Sequence, residues 1–340
     1  MICVHVLEVY ASPEVINSIF GQVIEFLGGP PAAPVFMMLM GLSFAYSKKK
    51  DMRSGVIRGI KVLLLGYLLN LLRGVLPIFI AKQIGLASTE AMTPEQSNLL
   101  NILLIADILQ FAGIALIIMA IIRELRISRF LLICIAFLIS MTSPFLWGIE
   151  VKIPILGHLL NLLWGDQPLG GFIDNMVNFP VFPWIVFPII GIVIGDLFAC
   201  SSDITKSFKQ MGLIGAIIML IGAGITATNP DYHMNDYYHS RQGAMIFMVG
   251  FTLIWLYMCY ILTLKISRNK VFDLLYNWSR NVTAIYFIQW VLIIWCIFIF
   301  GMNMSSFPST IFIIILLSLM SNYLSKDYIY ILKLRKEKLK

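Results

Sequence analysis

Charge is scarce in this sequence. Asp, Glu, Lys and Arg make up 13% of its 340 residues, about half the share of a soluble domain, so a soluble globular fold is excluded. Cysteine is sparse and scattered: Cys3, Cys134, Cys200, Cys259 and Cys296 form no C-x-x-C pair and no metal-ligand spacing, so neither a disulfide framework nor a metal site is expected. The chain contains no G-x-x-x-x-G-K-[ST], no H-E-x-x-H and no G-x-S-x-G, which removes the phosphate-loop, zinc-protease and nucleophile-elbow chemistries those motifs carry. The start lacks a basic n-region and a small-residue cleavage site, so no cleavable signal peptide is expected. Ten-residue alternating segments, the mark of a membrane barrel, are missing as well. So are internal repeats and low-complexity linkers, and one domain over 1–340 is expected.

What fills the chain instead is apolar sequence. Hydrophobic residues reach 59%, and runs of about membrane-span length recur at 62–81, 99–122, 130–148, 180–199, 210–228, 243–264, 282–300 and 309–324. With 33–47 these predict an all-α, polytopic transmembrane bundle of nine full spans plus a partial first span. That partial span is MICVHVLEVYA, which breaks at Ser12-Pro13. Eleven residues rise roughly 16 Å, about half a hydrocarbon core of ~30 Å, so Met1 is expected to stand inside the first span.

The net charge of +7 reflects topology, and nucleic acid is not expected as a partner. Basic residues gather in alternate loops: SKKKDMRSGVIRGIK (47–61), RELRISR (123–129), Lys206 and Lys209, Lys265 to Arg280, and the tail from Lys326. The positive-inside rule makes these loops cytoplasmic. The expectation is a multi-pass protein of the plasma or inner membrane with a cytoplasmic C-terminus and an opening fragment that ends outside. The outer loops, 12–32, 82–98, 149–179 and 229–242, are longer and read as irregular. The third, too polar and Gly/Pro-rich to span, reads as a cap or a re-entrant segment.

Ionisable groups inside a bilayer are expensive and mark sites by default. Arg73 and Asp107 each lie eight residues from the outer end of their spans, taking those ends as Ala81 and Leu99, which is roughly 12 Å deep. His5, six residues from Ala11, is roughly 9 Å deep by the same rise. The three therefore occupy one layer. Asn70 and Gln110 are i−3 and i+3 of the two charges, on shared helix faces, and Gln289 sits at similar depth. These residues can line a polar chamber that opens outward. Three plainer readings stay open. Arg73–Asp107 can be a buried ion pair that only fixes register. The three amides can be interhelical hydrogen-bond glue, and His5 can be interfacial.

All four histidines, His5, His158, His233 and His239, fall on the outer half. The loop DYHMNDYYHSRQG (231–243) concentrates Tyr, Asp, His and Arg, side chains suited to a glycan entrance, though a solvated loop with interfacial tyrosines has the same composition. In FPVFPWIVFPIIGIVIGDLF, Pro180, Pro183 and Pro188 predict a kink, and Gly191 with Gly195 makes a G-x-x-x-G face for close helix approach.

Taken in order, VHVLEVYA, PVFMMLMGLSFAYSKKK, ADILQFAGIALIIMAII, FPVFPWIVFPIIGIVIGDLF and NWSRNVTAIYFIQW resemble the heparan-α-glucosaminide N-acetyltransferase family, within the wider superfamily of acyltransferase-3 sugar O-acylases. The likeness covers most of the chain. It departs from the family in lacking the cytoplasmic R…D…R-G stretch before the helical histidine, and Gln289 stands where the acyltransferase-3 branch often has His. The resemblance implies acetyl-CoA or another acyl-CoA as donor and an extracytoplasmic sugar or glycan as acceptor. His5 and Asp107 are then the catalytic candidates, His5 as general base and Asp107 as its charge partner. Asn70, Arg73, Gln110, Trp184, His239 and Gln289 are the substrate-binding candidates. The basic residues from Lys48 to Lys61 suit CoA phosphates, and equally the ordinary topology signal. The rival reading is a transporter or flippase for a lipid-linked or acidic solute, with the same polar layer as its binding site.

Overall fold

The computed structural model describes residues 1–47, 51–85, 98–148, 153–165 and 177–338, with backbone alone at 154, 155 and 327–338. Lys48, Lys49 and Lys50 of the basic loop, most of loop 82–98, and residues 149–152 and 166–176 of loop 149–179 lie outside the described residues. Helices follow one another along the chain: α1 Ile2–Tyr10, α2 Pro13–Ile16, α3 Ile19–Gly28, α4 Ala32–Tyr46, α5 Met52–Asn70, α6 Leu76–Gln83, α7 Leu99–Leu104, α8 Ile108–Glu124 and α9 Arg129–Thr142. Then come α10 Pro154–Trp164, α11 Val181–Trp184, α12 Val186–Ala199, α13 Ile204–Thr228, α14 Pro230–Met234, α15 Gln242–Lys265, α16 Lys270–Arg280, α17 Val282–Phe300 and α18 Phe307–Lys338. Among the described residues β-pairing is limited to two single-residue bridges, Ala11–Ser305 and Ala106–Val177.

The protein is an all-α membrane protein. Among the described residues, eight helical stretches are long and apolar enough to cross a bilayer, from Ile19–Tyr46 to Phe307–Lys326. Two expectations change. Segment 12–32 is helical over α2 and α3 where an irregular loop is expected. The expected span 99–122 is two helices, α7 and α8, separated at 105–107.

The chain forms two compact units. The first holds Met1–Gly29, Leu71–Leu86 and Ile266–Lys340; the second holds Pro30–Asn70 and Ala87–Lys265. In the first unit the short α1 is buried on two faces. Ile2, Val6 and Tyr10, one turn apart, pack with Ile285, Ile293, Ile313 and Leu317 of α17 and α18. Leu7 and Ala11 pack with Val15 and the apolar side of α3. The end of α1 is tied to the α17–α18 turn by backbone bonds, Ser12 N–H to the Ser305 carbonyl (3.0 Å) and Ser305 N–H to the Tyr10 carbonyl (2.8 Å). The Tyr10 hydroxyl donates to the Ile293 carbonyl. Helices α1 and α17 thus end side by side and run in the same direction, which fixes where His5 falls along α17.

In the second unit, helix pairs close on glycine. A Cβ on Gly191 would sit 2.0 Å from the Met38 carbonyl oxygen, and one on Gly41 2.0 Å from that of Pro188, so the G-x-x-x-G face of α12 lies against the backbone of α4. Gly59 of α5 and Gly113 of α8 meet in the same way, as do α13 and α15. Without a hydrophobic drive between helices in lipid, this van der Waals contact is what holds them. Outward-facing Leu213, Leu220 and Phe130 are 65%, 69% and 77% exposed, as a lipid-facing surface requires. The proline-rich entry of α12 bends as expected: Phe182 has extended φ/ψ inside α11.

Candidate functional site

In the first unit the site is built on a widened helix turn. Leu71–Val75, directly after α5, is π-helical, a geometry found mostly as single turns and often where function needs a side chain re-aimed. The Trp295 Nε1–H caps the Leu72 carbonyl in that turn at 2.9 Å. Arg73, inside the turn, lays its guanidinium 4.7 Å from the Trp290 ring centroid. His5 approaches the same indole, ring centroids 4.2 Å apart and tilted 37°. One tryptophan therefore positions both an imidazole and a guanidinium.

The proton on His5 is placed by its neighbour. Glu8, one turn on, lies with Oε2 3.3 Å from His5 Nδ1. An ionised carboxylate only accepts, so in the neutral ring Nδ1 carries the hydrogen and Nε2 keeps its lone pair. Beside Trp290, Gln289 is 0% exposed, and neither its amide oxygen nor its amide nitrogen has a hydrogen-bond partner among the described residues. The Trp290 Nε1 is likewise buried and unpartnered. Leaving such groups unmet costs about 1–3 kcal/mol each, which marks them as places for a bound molecule's polar atoms.

In the second unit the polar residues serve a broken helix. Asp107 is the N-cap of α8, its Oδ1 accepting the Ile108 N–H at 2.8 Å. Gln110 Oε1 accepts the Asp107 N–H at 3.1 Å, completing a capping box. Asn70, the last residue of α5, donates through Nδ2 to the carbonyls of Leu103 (2.9 Å) and Ile105 (2.6 Å), where α7 ends. The Ala106 carbonyl takes the Asn178 N–H at 2.9 Å. The backbone groups released by the break are met inside the protein, as the bilayer demands. Gln110 packs on Gly66, where a Cβ would come 2.9 Å from its Nε2, and that nitrogen has no partner among the described residues.

The loop between α13 and α15 forms a third cluster. Trp184 is fully buried; its Nε1–H donates to the Tyr238 carbonyl at 2.8 Å, and Phe179, Phe187 and Tyr237 pack around it. It anchors this loop. His239 Nδ1 meets Asp236 Oδ2 at 2.7 Å. Burial acts to raise the Asp236 carboxyl, but the hydrogen bonds from His239 and from the Tyr238 N–H outweigh it and hold the group below its ordinary 3.8. A separate cavity of about 490 Å³ opens where α4 and α5 meet, lined by Ser43, Phe44, Tyr46, Ser47 and Arg58 among others. Arg58 lies over the Phe44 ring at 5.5 Å. Nearby in the fold, Arg123 of α8 grips Asp196 of α12 with two bonds of 2.8 and 2.6 Å.

The expected residues thus fall into three groups: His5, Arg73 and Gln289 in the first unit; Asn70, Asp107 and Gln110 at the break; Trp184 and His239 in the loop. The carboxylate bonded to His5 is Glu8; Asp107, which the resemblance pairs with His5, caps α8. Sequence reasoning passes over Glu8, Trp290, Asp236 and Asp196. The first and third had a signal, since each carboxylate is three residues from its histidine, one helical turn away for Glu8 and within one turn of the loop for Asp236. Trp290 stands next to Gln289 in the quoted FIQW. Asp196 had no comparable signal.

A model of the family described as heparan-alpha-glucosaminide N-acetyltransferase, catalytic, matches residues 1–228 of the 340. No curated protein and no solved structure matches the chain.

Proposed function

We propose a function from the premise that this chain belongs to the heparan-alpha-glucosaminide N-acetyltransferase catalytic family, a family of N-acetyltransferases. The proposal is a membrane acyltransferase, one domain of nine spans and a partial first span in a plasma or inner membrane, with its C-terminus in the cytoplasm. It moves an acetyl or other acyl group from cytoplasmic acyl-CoA to a hydroxyl or amine of an extracytoplasmic sugar. The observation that carries this reading is the convergence of His5 and Arg73 on Trp290, with Gln289, the preceding residue of α17, carrying an amide that has no partner among the described residues. A base and oxyanion donors are what acyl transfer needs, and one unit supplies both.

In the step we propose, the acceptor oxygen or nitrogen attacks the thioester carbonyl carbon. His5 Nε2 takes the acceptor's proton as the new bond forms. Glu8 holds the tautomer and stabilises the imidazolium. Arg73 and the Gln289 amide donate to the carbonyl oxygen as its charge grows. The carbon–sulfur bond then breaks, and His5 returns the proton to the departing thiolate. Asn70, Asp107 and Gln110 shape the broken helix of the second unit. Trp184 and His239 belong to the acceptor side. The cavity lined by Ser47 and Arg58 of the basic stretch suits CoA phosphates.

The test is a thioester-dependent acetylation assay on the purified protein, with acetyl-CoA and glucosamine. Product formation supports the reading; a purified, folded protein that forms none rejects it. A second reading keeps one observation in its favour. Broken helices at membrane depth are a recurring device of transporters, and α7–α8 is one. Uptake of a sugar or acidic solute by proteoliposomes without any acyl donor would establish that alternative.

A further inference from the structure

His239, with a half-buried side chain, is a nucleophilic group that the mechanism above leaves without a defined task. Its Nδ1 is bound to Asp236 at 2.7 Å, so the neutral ring keeps its hydrogen there and presents Nε2 as an acceptor. That Nε2 is buried and has no partner among the described residues. The Trp147 ring stands edge-on to His239, centroids 5.5 Å apart and planes at 89°, and its Nε1–H is also buried and unpartnered. Gly165, at φ +68°, comes so close that a Cβ there would lie 2.5 Å from His239 Nε2. Only a glycine fits against His239 there.

An orphan acceptor and an orphan donor on touching rings call for one kind of group, a group that both donates and accepts. A hydroxyl or a neutral amine does so; a carboxylate, a phosphate or an alkyl chain does not. The surroundings are aromatic. Trp164, next to Gly165, packs with Phe182 at 5.2 Å, and the Arg241 guanidinium lies over Tyr232 at 4.1 Å and Trp147 at 5.7 Å. Rings whose faces carry negative charge favour the C–H faces of a sugar. The arrangement repeats that of His5 and Glu8 in its parts: a carboxylate three residues away, an oriented imidazole and a tryptophan against it.

We propose that Trp147, Asp236 and His239 form an acceptor subsite in which the indole N–H and the imidazole Nε2 together bind one hydroxyl or amino group of a sugar. The naming of that sugar as acceptor rests on the acyltransferase reading; the binding itself does not. The experiment therefore has two arms, both on the full-length protein in detergent. In the first, glucosamine binding is measured calorimetrically with no acyl-CoA present. His239→Ala and Trp147→Phe should each weaken it about five- to tenfold, the worth of one hydrogen bond, and His239→Gln should restore part of the loss. In the second arm, acetyl transfer should show a KM for glucosamine raised by the same factors and a KM for acetyl-CoA unchanged.

Unchanged glucosamine binding in both variants overturns the subsite and leaves its polar atoms to a buried water. Equal shifts in both KM values overturn it too, because a merely structural role moves both together. If the wild type binds glucosamine through these residues but transfers no acetyl group, the subsite stands and the enzyme reading falls. If transfer proceeds and no variant moves the acceptor KM, the subsite falls and the enzyme reading stands.

Discussion

The α7–α8 break of the second unit and the unbroken α17 of the first treat buried polar side chains in opposite ways. At the α7–α8 break of the second unit, Asn70, Asp107 and Gln110 spend hydrogen bonds on the backbone: two carbonyls for Asn70, an N–H for Asp107 and an N–H for the Gln110 oxygen. In the first unit the Gln289 amide and the Trp290 indole N–H meet no protein group among the described residues. By composition the two sets are alike, amides and charges within apolar helices. The difference lies in what the local backbone needs. A broken helix releases carbonyls and N–H groups that lipid cannot satisfy, and nearby amides satisfy them. The unbroken α17 satisfies its own backbone, so the polar groups it carries stay available for a ligand.

The sharpest way to break the comparison is to mutate one member of each set. His5→Ala should lower acyl transfer by about 100-fold or more, the range expected for loss of a general base, with the thermal midpoint unchanged. Retention of transfer in that variant removes His5 from the chemistry. Asn70→Leu should do the reverse. It strands the Leu103 and Ile105 carbonyls and should cost about 2 kcal/mol or more of stability, since each unmet buried group costs about 1–3 kcal/mol. A thermal or denaturant melt of the solubilised protein checks it. An Asn70→Leu protein that melts like wild type means those carbonyls find other partners.

Gln289→Leu probes the first unit from the other side. The amide is buried without partners, so exchanging it for an apolar side chain of similar size should leave stability equal or slightly raised. Transfer should fall about tenfold, the value of one oxyanion donor at the low end. A variant that loses stability in the same measurement shows the amide to be structural, and the contrast between the units then fails.

These cases show how much was legible in the sequence. The helical spans, the G-x-x-x-G face of α12 and the proline bend follow from composition and period, and the structure places them close to where they are expected. The break at 105–107 is different. LLNILLIADILQFAGIALIIMAII is apolar throughout and reads as one helix; what opens it is a set of bonds from Asn70 and Asn178, distant in sequence. The π turn at Leu71–Val75 has the same character, fixed by packing and by Trp295 rather than by propensity. The candidate site residues stand out in the sequence as costly polar groups within apolar runs. Their partners were visible only where they lay three residues away, as Glu8 does from His5 and Asp236 from His239.

The smallest expected effect concerns that last pair. Asp236 is held below its ordinary value of 3.8, mainly because its hydrogen bonds from His239 and Tyr238 outweigh the burial that opposes them. A carboxyl whose folded value is depressed binds fewer protons folded than unfolded. Its stabilisation is therefore complete above the unfolded value and is lost as pH falls through the lower folded one. Between about pH 5 and pH 3 the wild type should lose thermal stability more steeply than Asp236→Asn, which has no such proton to take up. The group is partly exposed, so solvent screening keeps the difference small. Parallel melting curves across that interval would show that the Asp236–His239 bond contributes nothing to the fold, and would leave the dyad only a role toward ligand. Diverging curves show that the loop, unlike the His5 cluster, uses its carboxylate for stability as well.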